Sequence, residues 1–177
     1  MKGPVLGSVD TVIGRIPILD VEPAVDCGRR PAKAVNGETF EVSATVFREG
    51  HDIIAAGVVL RDPDRKSLPI AAMRMLAPGT DRWAAEVTPT REGPWRFHVE
   101  AWADPIATWH HNAAIKIPAG QDVALMLTEG GLEFERLARR IPQPPGASRP
   151  AVARTALRAL VATMRNRGLT PWDRLAA

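Results

Sequence analysis

The sequence predicts a mainly β protein with C-terminal helices. Three observations carry that prediction. Apolar residues alternate in period two through the first two-thirds of the chain. Clusters of Gly, Pro, Asn and Asp separate those stretches. Beyond Asp104 the apolar spacing changes to three and four.

The elements follow in order. Ile16 to Val21 is short, apolar and β-branched, and reads as a first strand. Asn36-Gly37 is a turn signal. After it Phe40, Val42, Ala44 and Val46 alternate with Glu41, Ser43 and Thr45. That alternation makes a strand buried on one face. Ala56, Val58 and Leu60 repeat the pattern, and Asp62-Pro63-Asp64 closes it. Trp83, Ala85 and Val87 form the next strand, between Ala77–Asp81 and Pro89–Pro94. Trp95, Phe97, Val99 and Ala101 form the last, ended by Asp104-Pro105. No helical period intervenes, which argues against a parallel α/β sheet and points to an antiparallel sandwich or barrel.

The segment Trp109 to Ile117 fits a short helix or a further strand. From Gln121 the chain reads helical. Asp122 is placed to cap the helix, and Val123, Met126, Leu127, Phe134, Leu137, Ala138 and Ile141 share its apolar spacing. Gly130-Gly131 weakens the helix by about 1 kcal/mol per glycine relative to alanine, enough to permit a break. A proline-rich linker runs from Pro142 to Pro150. Ala153, Leu157, Leu160, Val161 and Met164 then make one apolar stripe, and Gly168 ends that helix. Thr170-Pro171-Trp172-Asp173 has the signs of one more helix start: a capping threonine, proline at the first position and an acid at the third. Only a few residues follow, so a fragment of a longer protein is expected. The expected domains are an N-terminal arm (1–14), a β-sandwich (15–120) and a truncated helical segment (121–177).

Composition narrows the function classes. The chain has 177 residues, 45% of them hydrophobic, and one cysteine. Cys27 has no partner for an internal disulfide, and is expected as a small, partly buried residue in a reducing, cytoplasmic setting. No signal peptide or apolar run of membrane-spanning length appears. The net charge of +3 is small, and its basic excess lies near the C-terminal end at helical spacing. That describes a solvated face and argues against nucleic-acid binding.

Several segments resemble one family. They are Arg15–Pro23 (RIPILDVEP), Gly28–Ala34 (GRRPAKA), Gly37–Asp52 (GETFEVSATVFREGHD) and Asp81-Arg82-Trp83. They continue with Glu92-Gly93-Pro94-Trp95, Val99–Pro105 (VEAWADP) and Thr108–Gly120 (TWHHNAAIKIPAG). Together they resemble the N-terminal region of the α-1,4-glucan:maltose-1-phosphate maltosyltransferases, members of the α-amylase superfamily, from about Arg15 to Ile141. With the periodicity, the resemblance implies an immunoglobulin-like antiparallel β-sandwich followed by an incomplete helical segment. It also implies a longer parent that moves maltosyl units from α-maltose 1-phosphate to α-1,4-glucans with retention. Retaining chemistry needs two carboxyl groups about 5–5.5 Å apart. In the family those lie in a barrel domain downstream. No residue of this chain matches them, so no catalytic residue is assigned. The implied role is non-catalytic: homodimer contacts and packing against the catalytic barrel. The implied partners are a second subunit, that barrel and, through the parent, glucan and donor. No cofactor is implied.

A few residues invite sharper roles. His110-His111 are adjacent, so neither helix nor strand points both at one metal ion. Asp52 and His51 sit beside Gly50 at the tip between two strands and read first as a polar turn. Arg29, Arg30 and Lys33 cluster near the first turn and could bind phosphate. Trp83 and Trp95 share the core phase of their strands, whereas Trp102 and Trp109 fall outside it. The interface or sugar-contact candidates are therefore His51, Asp52, Trp102, Trp109, His110 and His111. An α-glucan-binding module is the alternative reading, and it needs exposed aromatic rings. Exposed apolar surface is expected on the stripe Leu157, Leu160, Val161 and Met164.

Overall fold

The computed structural model describes residues 16–142 and 148–176. The expected N-terminal arm, residues 1–14, lies outside the described residues. Among the described residues seven strands come first: β1 (Ile18–Glu22), β2 (Phe40–Val46), β3 (Ile54–Arg61), β4 (Ala71–Ala72), β5 (Arg74–Met75), β6 (Arg82–Val87) and β7 (Arg96–Ala103). Four helices follow: α1 (Pro105–Lys116), α2 (Val123–Arg140), α3 (Ser148–Arg165) and α4 (Pro171–Leu175). Among the described residues no helix is long and apolar enough to cross a membrane.

The strands form two antiparallel sheets, ordered β1-β2-β6-β5 and β4-β3-β7. The period-two pattern sets the register. Val42 pairs with Ala85 and Ala44 with Trp83 in the first sheet, and Val58 pairs with Val99 and Leu60 with Phe97 in the second. The inward faces meet in one core that includes the fully buried Val42, Val46 and Val58. Trp83 joins that core and donates its indole N–H to the Val46 carbonyl at 3.0 Å, so its polar atom is satisfied. Trp95 packs against the same core, partly buried. The mainly β expectation and the sandwich architecture both hold. The short strands β4 and β5, which flank the buried Met73, had no counterpart in the sequence reading.

One side chain fastens the edge strand β1. The Arg82 guanidinium donates to the Asp20 carbonyl (2.7 Å), the Glu22 carboxylate (3.0 Å) and the Ser43 hydroxyl (2.8 Å). A second ionic group lies on the loops: Arg91 pairs with Asp62 at 3.0 Å and also with Asp64. Desolvation pushes the Asp62 carboxyl upward, but the Lys66 backbone N–H and the Arg91 guanidinium outweigh it and hold Asp62 below the ordinary aspartate range.

The chain divides into two compact units, 1–50 with 54–103, and 51–53 with 104–177. The last strand ends at Ala103 and α1 begins at Pro105. The reason is local. Asp104 accepts a hydrogen bond from the Ala107 N–H at 2.9 Å, and Pro105 occupies the first turn, so Asp104-Pro105 starts a helix as well as ending a strand. The ambiguous segment Trp109–Ile117 lies on α1 and its C-cap. Residues 51–53 dock on this helix start: Ile53 N–H donates to Thr108 Oγ1 (2.9 Å), and Asp104 N–H to the Ile53 carbonyl (2.8 Å).

Candidate functional site

The helical unit is built around Trp109. With Ala113 and Ile117 it forms a stripe four residues apart on α1, and all three are buried. Its indole N–H donates to the Met126 carbonyl of α2 at 2.6 Å. Its ring meets Phe134 edge-on, centroids 5.7 Å apart. The close approach explains Gly130: a Cβ there would lie 2.2 Å from Trp109 Cζ2. Gly131 faces open space, with nothing within 4 Å of a Cβ. The glycine pair therefore admits a ring without breaking the helix, and α2 runs continuously from Val123 to Arg140.

Trp109 was expected at an interface or against sugar. It is only 6% exposed, and a ring clamped this way offers no free face. Its period is helical, shared with Ala113 and Ile117, and stands apart from the strand pattern. Trp102 behaves differently. It stands opposite Ala55 on β7, in phase with His98 and Glu100, and is 41% exposed. His98 and Glu100 beside it are hydrogen-bonded at 2.9 Å.

The remaining candidates lie apart from any chemical constellation. His51 and Asp52 are exposed in the segment preceding β3. His110 and His111 are exposed on α1, and the His110 ring lies edge-on to Trp109 with centroids 6.1 Å apart. Among the described residues no group of three His, Cys, Asp or Glu could hold a metal ion. Arg30 pairs with Asp26 at 3.7 Å in an exposed turn, and Arg29 and Lys33 are exposed as well. Cys27 is exposed, contrary to the partly buried position expected.

Exposed apolar surface falls in a different place from the one expected. On α3, Val161 and Met164 are buried and Leu157 and Leu160 half-buried, because that stripe packs inside the helical unit. The large exposed apolar side chains of the unit include Ile115, Leu125, Leu132, Leu137, Val152 and Trp172, at 39–68% exposure. Leu125 and Leu132 stand seven residues apart on one face of α2. The expected helix caps divide as well. Thr170 accepts from the Asp173 N–H at 3.2 Å and caps α4. Asp122 sits at the start of α2 in a left-handed conformation, but its carboxylate turns to Lys116 (3.1 Å) and makes no cap.

Comparison with known proteins is consistent along the chain. A family model described as "alpha-1,4-glucan:maltose-1-phosphate maltosyltransferase, domain N/S" matches residues 14–177. The chain is 58% identical over 145 residues to alpha-1,4-glucan:maltose-1-phosphate maltosyltransferase 2 of Streptomyces coelicolor, covering 82% of this chain and 22% of that protein. It is 41% identical over 165 residues to the maltosyltransferase of Arcanobacterium haemolyticum, covering 93% and 23%. It is 36% identical over 170 residues to that of Mycobacterium tuberculosis, covering 81% and 24%. The chain thus spans about a fifth to a quarter of the length of these curated relatives. The sandwich, the helices after it and the length of the match agree: the chain belongs to the α-1,4-glucan:maltose-1-phosphate maltosyltransferase family, as its N/S domain.

Proposed function

We propose that this chain is a non-catalytic, cytoplasmic accessory region of a maltosyltransferase, serving dimerisation and packing against a downstream catalytic barrel. The parent would transfer maltosyl units from α-maltose 1-phosphate to α-1,4-glucans, as the names of the relatives describe for those proteins. One observation carries the reading. The helical unit leaves Ile115, Leu125, Leu132, Leu137, Val152 and Trp172 on its surface, each more than a third exposed. Single exposed apolar residues are ordinary in a monomer. A four-helix unit that shows several of them, at least one on each helix, suits burial against a neighbour. The mechanism is then positional: association removes this surface from water, and the geometry around the catalytic barrel is set by what the helices pack against.

The test is analytical ultracentrifugation of the chain with and without a malto-oligosaccharide. A concentration-dependent dimer, indifferent to sugar and weakened by Leu125→Asp with Leu132→Asp, supports the reading. A monomer that binds the sugar sinks it and promotes the α-glucan-binding alternative. That alternative rests on the exposure of Trp102, since Trp109 no longer contributes a ring.

A further inference from the structure

Charge gathers at the seam between α2 and α3. Their contacts run in opposite chain directions: Arg154 donates to the Ile141 carbonyl at 3.5 Å, and Arg165 pairs with Glu135 at 2.7 Å. Between them lies an open groove of about 920 Å³. That volume is in the range that holds small-molecule ligands. Its floor is apolar, with Ala138, Val161 and Ala162. Its rims carry five guanidinium groups, on Arg139, Arg140, Arg154, Arg158 and Arg165, against one carboxylate, Glu135.

Ordinary structural roles account for part of this. Arg139 and Arg140 lie in the last turn of α2, where the helix dipole favours cations. Arg154 reaches the carbonyl that follows α2. Arg139 and Arg165 share Glu135, at 3.4 and 2.7 Å. Arg158 is left over. It stands four residues after Arg154 and seven before Arg165, so all three share one face of α3. Like charges at that spacing repel and oppose helix formation. Among the described residues no carboxylate pairs with Arg140 or Arg158. The connection 143–147 reads Gln-Pro-Pro-Gly-Ala and brings no acidic side chain.

We propose that this groove is a binding site for a phosphate-bearing small anion, held by Arg140 and Arg158 and bordered by Arg165. Guanidinium groups present planar forks that match phosphate oxygens two at a time. A phosphate group brings about two negative charges into a small space, which suits arginines that bracket one groove. The site is independent of the dimerisation reading, since its arginines are not among the exposed apolar residues on which that reading rests.

Isothermal titration calorimetry of the whole chain tests the site, with inorganic phosphate, pyrophosphate and glucose 1-phosphate as probes. Pyrophosphate is expected to bind, and to bind more weakly as salt is raised above about 50 mM. The double variant Arg140→Gln/Arg158→Gln should weaken binding about tenfold or more with unchanged circular dichroism, since neither side chain holds a described contact. The variant Arg29→Gln/Arg30→Gln, in the sandwich unit, should bind as the parent does. Tighter binding of the sugar phosphate than of inorganic phosphate assigns the natural anion to an ester, and the reverse order to free phosphate. The proposal is overturned by no binding of any probe, by equal loss in both double variants, or by a poly-glutamate peptide binding through Arg140 and Arg158 where phosphates do not.

Discussion

The two units close their cores in different ways. The sandwich buries small branched residues from both sheets, with Val42, Val46 and Val58 fully covered, and no single residue dominates. The helical unit hangs on one ring. Trp109 fills the space beside Gly130, bonds the Met126 carbonyl and meets Phe134. Both units leave several large apolar side chains exposed, Val35 and Ile70 in the sandwich as well as Leu125 and Val152 on the helices. Distributed packing makes a unit tolerant of single changes, whereas a keystone makes it brittle.

Trp109→Ala breaks the comparison most directly. Removing a buried tryptophan costs about 3–5 kcal/mol. The helical unit should melt separately and early in calorimetry, while the sandwich transition stays in place. A single unshifted transition would show that the ring is no keystone. Gly130→Ala comes next. The new methyl meets a ring that cannot yield, and overpacking of this kind costs about 1–3 kcal/mol. Gly131→Ala sharpens the point with the opposite sign. Its Cβ enters open space, so the gain in helix propensity should stabilise the unit by up to about 1 kcal/mol in chemical denaturation. Equal signs at the two glycines would remove the geometric account.

The smallest effect concerns the sandwich alone and depends on pH. Asp62 is held below its ordinary range, so the unfolded chain binds its proton more readily than the folded one. Its contribution is therefore present above the unfolded value of about 3.9 and is lost as pH falls through the lower folded value. Arg91→Gln should flatten that acid limb by lowering stability slightly near neutrality and leaving it unchanged below both values, a small effect because the Arg91 guanidinium is half exposed to solvent. An acid limb of unchanged slope would point to other carboxylates.

The sequence announced the sandwich more clearly than the helices, and the reason is physical. The alternate apolar residues of β2, β3, β6 and β7 pack into or against one core, so period two is written into six to eight residues at a time. β4 and β5 are two residues long, and no periodicity fits in two residues. On α1 the signal is present but fits a strand as well. Trp109, Ala113 and Ile117 stand four apart, and Asp104-Pro105 is a capped helix start. The alanines and histidines between them blur the contrast between faces, and Asp104-Pro105 ends a strand as readily as it starts a helix. The α3 stripe has the expected residues but packs inside the helical unit. Periodicity says which residues share a face, and only packing says whether that face looks inward. The basic groove was invisible for a related reason: its arginines come from two helices joined by a linker. A linear reading sees them only as a solvated surplus.

The role of Arg82 has a mechanical consequence. β1 is an edge strand whose pairing with β2 shifts register between Leu19 and Glu22. One guanidinium spans that irregular stretch, gripping β1 at Asp20 and Glu22 and β2 at Ser43. Tension applied at the N-terminus would therefore peel β1 as a zipper until it reached this rivet. Resistance to pulling in the sandwich should concentrate at a single arginine, and Arg82→Ala would turn an abrupt rupture into a gradual unzipping.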